Sequence, residues 1–376
     1  MDSIKILHCA DFHFDSPFRE LPGSLGEKRK EDLRETFGQM VRVAQEENIH
    51  LLLISGDLFD NERVSRMTID YLRDCLQEIP QIRVFIAPGN HDPFYERSYY
   101  RLVDWPENVH VFQDEGEKIE LCELGVCVYG CGFMKPHVRE SLLQGFTVAD
   151  PAKLNLMVLH GDVVGTGQDS DYNPLTTEEI AASGLDYLAL GHRHSFSGIN
   201  QAGDTFWAYP GCPEGRAFDE LGEKGVLLGT LRKGRCQLSF RGIGKRKYYE
   251  ERIEISGCQT YEQIAAKIRA AVEGLEPEKN LFRLVLSGAL PGDFPFYPAV
   301  LTEKLQQDFY YVQIIDETMT QVDPQLLAND YTLRGLFVQK ALARSAAAQE
   351  EAERRKAELA LKYGLRILEQ GEAGIE

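Results

Sequence analysis

The chain has 376 residues, more than one compact core usually supports, so two domains and an appendage are expected. Hydrophobic content of 43% and charged content of 27% exclude a disordered or fibrous chain, and no apolar run reaches the length of a membrane span. The net charge of −18 is unfavourable for a protein that neutralises phosphates with a basic surface.

The first two-thirds alternates strands with helices. Ile4–His8 is a short apolar run of strand type, and residues 27–47 carry Leu33, Phe37, Met40, Val41 and Ala44 at helical spacing. Leu51–Ser55 is a continuous apolar run stopped by Gly56-Asp57, the pattern of a strand buried on both faces. Residues 65–77 form a helix with Pro80 beyond its end, and Arg83–Ala87 is a strand stopped by Pro88-Gly89. Short strands follow at 109–131, then buried strands at 154–159 and 187–190, and further strands at 205–209, 225–231 and 235–241. Gly242–Lys247 has the composition of a linker. Residues 248–320 give strand, helix, strand, helix, strand, a small second α/β unit. From 323 strands vanish, and 334–369 is one long helix former with a break expected at Gly364. The expected division is 1–244, 248–320 and 323–376.

The start of the chain lacks a signal-peptide pattern, and the eight cysteines form no CxxC pair. A reducing, cytoplasmic setting without a membrane is the expectation.

One pattern carries chemistry. Five times an apolar strand ends and potential metal ligands follow at once: Asp11-Phe12-His13, Gly56-Asp57 with Asp60, Gly89-Asn90-His91-Asp92, His160-Gly161, and Gly191-His192-Arg193-His194. Strand ends in an α/β sheet converge on one edge, where functional loops gather. Glycines 56, 89, 161 and 191 are expected to supply the unusual backbone angles of sharp turns. Oxygen donors mixed with imidazoles, and no thiolates, suit Mn, Fe or Zn in a working site, not a structural zinc knot. Histidines 8, 50, 110 and 137 are left over and are expected to be structural.

DxH, GDxxD, GNHD, a lone His before Gly, and GHxH in that order resemble the calcineurin-like metallophosphoesterase superfamily over roughly residues 4–240. The resemblance implies an αββα sandwich with a two-metal site, a small α/β capping domain and a C-terminal helix. It implies one divalent ion on Asp11, His13, Asp57 and His194, and another on Asp57, Asn90, His160 and His192, with manganese foremost. His91 would face the scissile phosphate, and Asp92 would orient His91. A narrower resemblance is to SbcD-type DNA exonucleases, carried by Ile6–His13, Tyr209–Pro213 and Phe218–Glu220. His13–Phe18 and Leu333–Phe337 resemble the YhaO branch of that family. That implies DNA as substrate, an SbcC-like coiled-coil ATPase as partner, and compatibility with a homodimer. Phe12-His13-Phe14-Asp15 and Cys212 depart from the SbcD pattern without touching a ligand.

On this reading a metal-activated hydroxide attacks a phosphodiester in line while His91 stabilises developing charge. Phe14, Phe18, Phe59, Tyr95, Tyr99 and Tyr100 are candidates for stacking on bases, with core packing the preferred role for most. Two alternatives stand beside it. One is a phosphatase or phosphodiesterase acting on a small molecule or phosphoprotein, which the acidic charge favours. The other is a mainly structural subunit of an ATPase complex, docked through the C-terminal helix.

Overall fold

The computed structural model describes residues 3–60, 63–113, 116–165, 167–292, 294–321 and 331–370. It divides into two compact units, Met1–Lys247 and Tyr248–Glu376. The expected boundary between 320 and 323 reaches into residues outside those described.

The first unit holds two six-stranded sheets. In one, β1 (Ile4–Cys9), β2 (Leu51–Ile54), β3 (Arg83–Ile86) and β4 (Val109–Val111) run parallel, and β13 (Gly225–Arg232) and β14 (Arg235–Gly242) add antiparallel strands beside β1. In the other, β6 (Val126–Gly130), β7 (Leu154–His160), β10 (Tyr187–Gly191) and β12 (Thr205–Ala208) run parallel. Antiparallel edges close it, β5 (Glu117–Leu121) and β11 (Asn200–Ala202). A two-residue pairing of β8 (Asp162–Val163) with β9 (Pro174–Leu175) lies in the loops.

The two-residue period of a strand decides which layer each side chain joins. Leu51 and Leu53 enter the core between the sheets, while Leu52 and Ile54 face the opposite side. Val126, Val128, Leu156, Val158, Tyr187 and Ala189 meet them from the second sheet. The alternate residues Cys127, Tyr129, Met157, Leu159, Leu188 and Leu190 belong to an outer core. Helices cover the outer faces. Helix α1 (Gly23–Glu46) buries Leu33, Phe37, Met40, Val41 and Ala44 on the first sheet, beside α2 (Arg66–Gln77) and the short α3 (Tyr99–Leu102). Ser65 caps α2 by accepting from the Thr68 N–H. Ile180 of α4 (Thr177–Ala182), whose Thr176 and Glu179 form a capping box, packs on the second sheet. The result is the helix–sheet–sheet–helix sandwich that the resemblance implies.

A polar node joins the sheets inside this apolar layer. The Tyr187 hydroxyl of β10 lies 2.8 Å from Nδ1 of His8 on β1. Ser55 Oγ donates to Ala189 O and lies 3.1 Å from His8 Nε2, from which it accepts. Burial pushes the His8 imidazole down to about 3, so it is neutral and accepts from Tyr187.

The second unit holds a three-stranded parallel sheet, β15 (Tyr248–Glu254), β16 (Leu281–Pro291) and β17 (Tyr311–Gln321), with β16 central. Helices α5 (Tyr261–Ala271) and α6 (Pro298–Leu305) bury Ile264, Ile268, Leu301 and Leu305 on it. Two helices follow, α7 (Leu333–Ala347) and α8 (Glu351–Gln370). The single helix with a break at Gly364 is therefore corrected: the chain breaks at 348–350, and Gly364 lies inside α8. A Cβ at Gly364 would sit 2.1 Å from the Phe337 ring, so this glycine serves the close approach of α7 and α8. Val338, Leu361 and Leu365 form their shared core. Lys362 is buried against the edge strand, donating to Thr318 O at 2.7 Å and pairing with Asp316 at 2.8 Å.

Tyr187→Phe leaves His8 Nδ1 without its donor in a buried apolar layer. The expected loss is about 1–3 kcal/mol of stability for the first unit, read as a lower urea midpoint against a probe in that unit. An unchanged midpoint would refute the role given to this node.

Candidate metal centre

Parallel strands from both sheets end at the same edge. Asp11 and His13 follow β1, Asp57 follows β2, Asn90 follows β3, His160 ends β7, and His192 and His194 follow β10. Four of these seven have left-handed backbones: Asp11 (φ 57°), His13 (φ 48°), Asp57 (φ 49°) and His192 (φ 111°). Such conformations cost roughly 1–2 kcal/mol each at non-glycine residues. Cross-loop bonds hold them: Asp11 N–H donates to Gly56 O, His13 N–H to Asp57 O, and Phe14 N–H to Leu58 O, at 2.9–3.1 Å.

The motif glycines work differently from the expectation. Only Gly56 among them has a positive φ, 86°. Gly89, Gly161 and Gly191 are needed for space: a Cβ would fall 2.2 Å from Asp57 Oδ1, 2.6 Å from Asn173 Nδ2 and 1.8 Å from Ser55 O respectively. The ligands carry the unusual angles, and the glycines let them close in.

The candidate ligands converge on the buried Asp57 carboxylate. Its Oδ2 lies 3.4 Å from His160 Nε2 and 3.5 Å from His13 Nε2. His13 Nε2 is 3.2 Å from His194 Nε2. Asn90 Oδ1 is 2.9 Å from His160 Nε2 and 3.2 Å from His192 Nδ1. The Asp11 carboxylate accepts from the His192 N–H. Asp11, His13 and His194 on one side, and Asp11, Asp57 and His160 on the other, present ligand atoms within 4.8 Å of one another.

Ring tautomers aim nitrogens inward. His160 Nδ1 donates to Ser55 O at 3.0 Å, and His194 Nδ1 donates to Glu220 Oε1 at 2.7 Å, which turns both Nε2 atoms toward the other candidate ligands. The buried Nδ1 of His13 stands 3.4 Å from the Asp60 carboxylate.

The charges oppose one another. Burial lifts the Asp11 carboxyl to about 6 against the pull of His194 and His160. Burial would also raise Asp57, but His160, His13 and His91 hold it well below the carboxylate range. Burial pushes His13 down to about 3 and His192 to about 4, whereas Asp57 overrides burial at His160 and raises it to about 9. Carboxylates deprived of water, faced by imidazoles too desolvated to all be cationic, fit a bound dication. Oxygen and imidazole donors without thiolate suit a catalytic dinuclear centre.

His91 is exposed, donates its N–H to Asp57 Oδ1 at 2.9 Å, and has Nδ1 3.0 Å from Asp60 O. Nδ1–H donates to that carbonyl, so Nε2 is left for a substrate. Asp92 does not orient this ring as expected. Its carboxylate accepts from the N–H groups of Asp57, Phe59 and Gly89 and from the Tyr100 hydroxyl. A tight turn sends adjacent side chains apart, and backbone donors capture Asp92. It therefore braces the loops that carry Asp57 and Asn90.

Two residues behind the ligands escaped the sequence reading. Glu220 accepts from His194 and from Arg216, and Arg216 also reaches Asp60 at 3.5 Å. Glu220 lies within the Phe218-Asp219-Glu220 run that carried the narrower resemblance, the one available signal. Of the stacking candidates, Phe14, Phe18, Phe59 and Tyr100 are buried packing residues; Tyr95 and Tyr99 are half-buried.

Glu220→Gln removes the carboxylate that fixes the His194 tautomer. Affinity for Mn²⁺, titrated calorimetrically well below the thermal transition, is expected to fall about 10- to 100-fold, and the transition itself is expected to fall because Arg216 loses a buried counter-charge. Equal affinity in both proteins would remove Glu220 from the centre.

Comparison with known proteins agrees with this geometry. The family profile of the calcineurin-like phosphoesterases matches residues 4–196. The uncharacterized metallophosphoesterase YhaO of Bacillus subtilis (strain 168) is 25% identical over 308 residues, spanning 77% of this chain and 73% of YhaO. The DNA double-strand break repair protein Mre11 of Saccharolobus solfataricus is 23% identical over 226 residues, 58% of this chain and 56% of Mre11. The SbcD component of the nuclease SbcCD from Staphylococcus epidermidis is 24% identical over 251 residues, 58% of this chain and 64% of SbcD. With the profile covering half of its length, on the strands that carry the ligands, the chain belongs to the calcineurin-like phosphoesterase family.

Proposed function

We propose that this phosphoesterase is a metal-dependent phosphodiesterase that cleaves DNA, with two Mn²⁺ ions as its working metals. The observation that carries the reading is the buried Asp57 carboxylate between His13 and His160, with His91 at its exposed side. One ion would be held by Asp11, His13, Asp57 and His194, the other by Asp57, Asn90, His160 and His192. Such ions supply Lewis-acid activation of water and of phosphoryl oxygens.

The chain's own residues do the rest. Asp57 keeps the negative charge that both halves of the centre share. Asp92 and Tyr100 fix the loops beneath it. The Asp60 carbonyl holds the His91 ring by Nδ1–H, so that in the doubly protonated ring the Nε2–H gives its proton to the departing oxygen as the P–O bond breaks, leaving the neutral imidazole still bonded to Asp60. DNA as substrate is supported by the similarity to an Mre11 and to the SbcD of an SbcCD nuclease. Eight cysteines free of disulfides suit a reducing, cytoplasmic setting.

A partner resembling the SbcC ATPase is supported by the α7–α8 pair, which leaves Leu333, Leu336, Tyr363 and Ile367 exposed. An apolar helical face of this kind suits a partner helix. The net charge of −18 favours a second reading, a phosphodiesterase for small diesters, because so acidic a chain is ill suited to neutralising a long run of phosphates.

Purified protein with Mn²⁺ is expected to cleave both an end-labelled duplex bearing a single-stranded tail and bis-p-nitrophenyl phosphate. His91→Ala should lower kcat about 10²- to 10⁴-fold with metal still bound. Asp57→Ala or a chelator should abolish turnover. Cleavage of the small diester alone would sink DNA as substrate; metal binding with no turnover of either would sink the enzymatic reading.

A further inference from the structure

A row of rings leads outward from the candidate metal centre. Tyr172 packs on the candidate ligand His192, centroids 4.9 Å apart and planes at 40°. His137 packs on Tyr172 at 5.7 Å and 35°. Exposure rises along the row, from His192 and Tyr172, both half-buried, to His137, exposed. His137 is the leftover histidine that makes no sense as a core residue.

The row is strapped in place. Val138 N–H donates to Asp171 O at 2.8 Å, and Asn173 N–H donates to Val138 O at 2.5 Å. Arg139 pairs with Asp171 at 2.8 Å. Asn173 donates from Nδ2 to the His160 carbonyl and accepts the Leu142 N–H. The Asp162 N–H, two residues past His160, donates to Tyr172 O. Two loop segments, 137–139 and 171–173, are thus bonded to each other and to the loop of a candidate ligand. Rings so held lose little freedom when another ring stacks on them. Separations of 4.5–7 Å are those of interacting aromatic pairs.

We propose that His137 and Tyr172 form a stacking wall for the nucleobase of the nucleotide that carries the scissile phosphate. This rests on the phosphodiesterase reading above and adds the part of the substrate that is recognised. A nucleobase offers a flat π face of any sequence, so such a wall selects nucleoside esters over simple alkyl esters without selecting among bases.

The test compares two diesters with one leaving group, thymidine 5′-(p-nitrophenyl phosphate) and methyl p-nitrophenyl phosphate, on the Mn²⁺-loaded full chain. Wild type is expected to prefer the nucleoside ester. His137→Ala and Tyr172→Ala should each cut that preference about tenfold, chiefly through KM, and His137→Phe should retain it. Calorimetric titration with thymidine 5′-monophosphate gives the same comparison without turnover, with about tenfold weaker binding in His137→Ala. A preference and an affinity unchanged in both alanine variants would overturn the wall. Wild type that hydrolyses neither diester would instead overturn the phosphodiesterase reading, and the titration then decides the wall alone.

Discussion

The molecule is organised around a negative charge buried away from water. Asp57 sits where the strand ends of both sheets meet, and its carboxylate is reached by imidazoles from β1 and β7. An isolated carboxylate in such a place would be costly enough to force its own protonation. The chain avoids this by surrounding it with donors that share one cation-binding space. That demand explains why five separate loops must reach one point. It also explains why left-handed backbones at Asp11, His13, Asp57 and His192 are tolerated.

The same demand reaches into the packing. Ser55, one residue before the Gly56-Asp57 turn, holds His160 through its carbonyl and contacts His8 and Ala189 through its hydroxyl. One residue thereby ties the inter-sheet layer to the centre. Sheet packing and ligand spacing are set together, so a change between the sheets is felt at the loops. Asp92 does a similar service from below, gathering three backbone N–H groups and Tyr100.

Much of this was legible in the sequence, and what was not has physical reasons. Apolar runs ending in Asp, Asn or His revealed the strands and the candidate ligands at their ends, because burial and the residue type after a strand are both local properties. The Glu220–Arg216 support was invisible to spacing, since it reaches His194 from 26 and 22 residues away. Asp92 misled by adjacency to His91. Gly364 misled because glycine signals either a break or a close approach, and only the Phe337 ring tells which. The break at 348–350 falls in an Ala-rich stretch with good helix propensity, so pairing of α7 with α8 overrode the local preference.

Lys362 carries a consequence beyond its ion pair. Strand β17 has eleven residues and, among the described residues, one strand neighbour; an open edge of that length is where foreign strands add and sheets grow between molecules. The α8 ammonium occupies an edge carbonyl at Thr318, and a charge placed there repels an incoming strand that has no matching acid. Loss of α8 by proteolysis would uncover that edge, and the protein would then be open to self-association through β17.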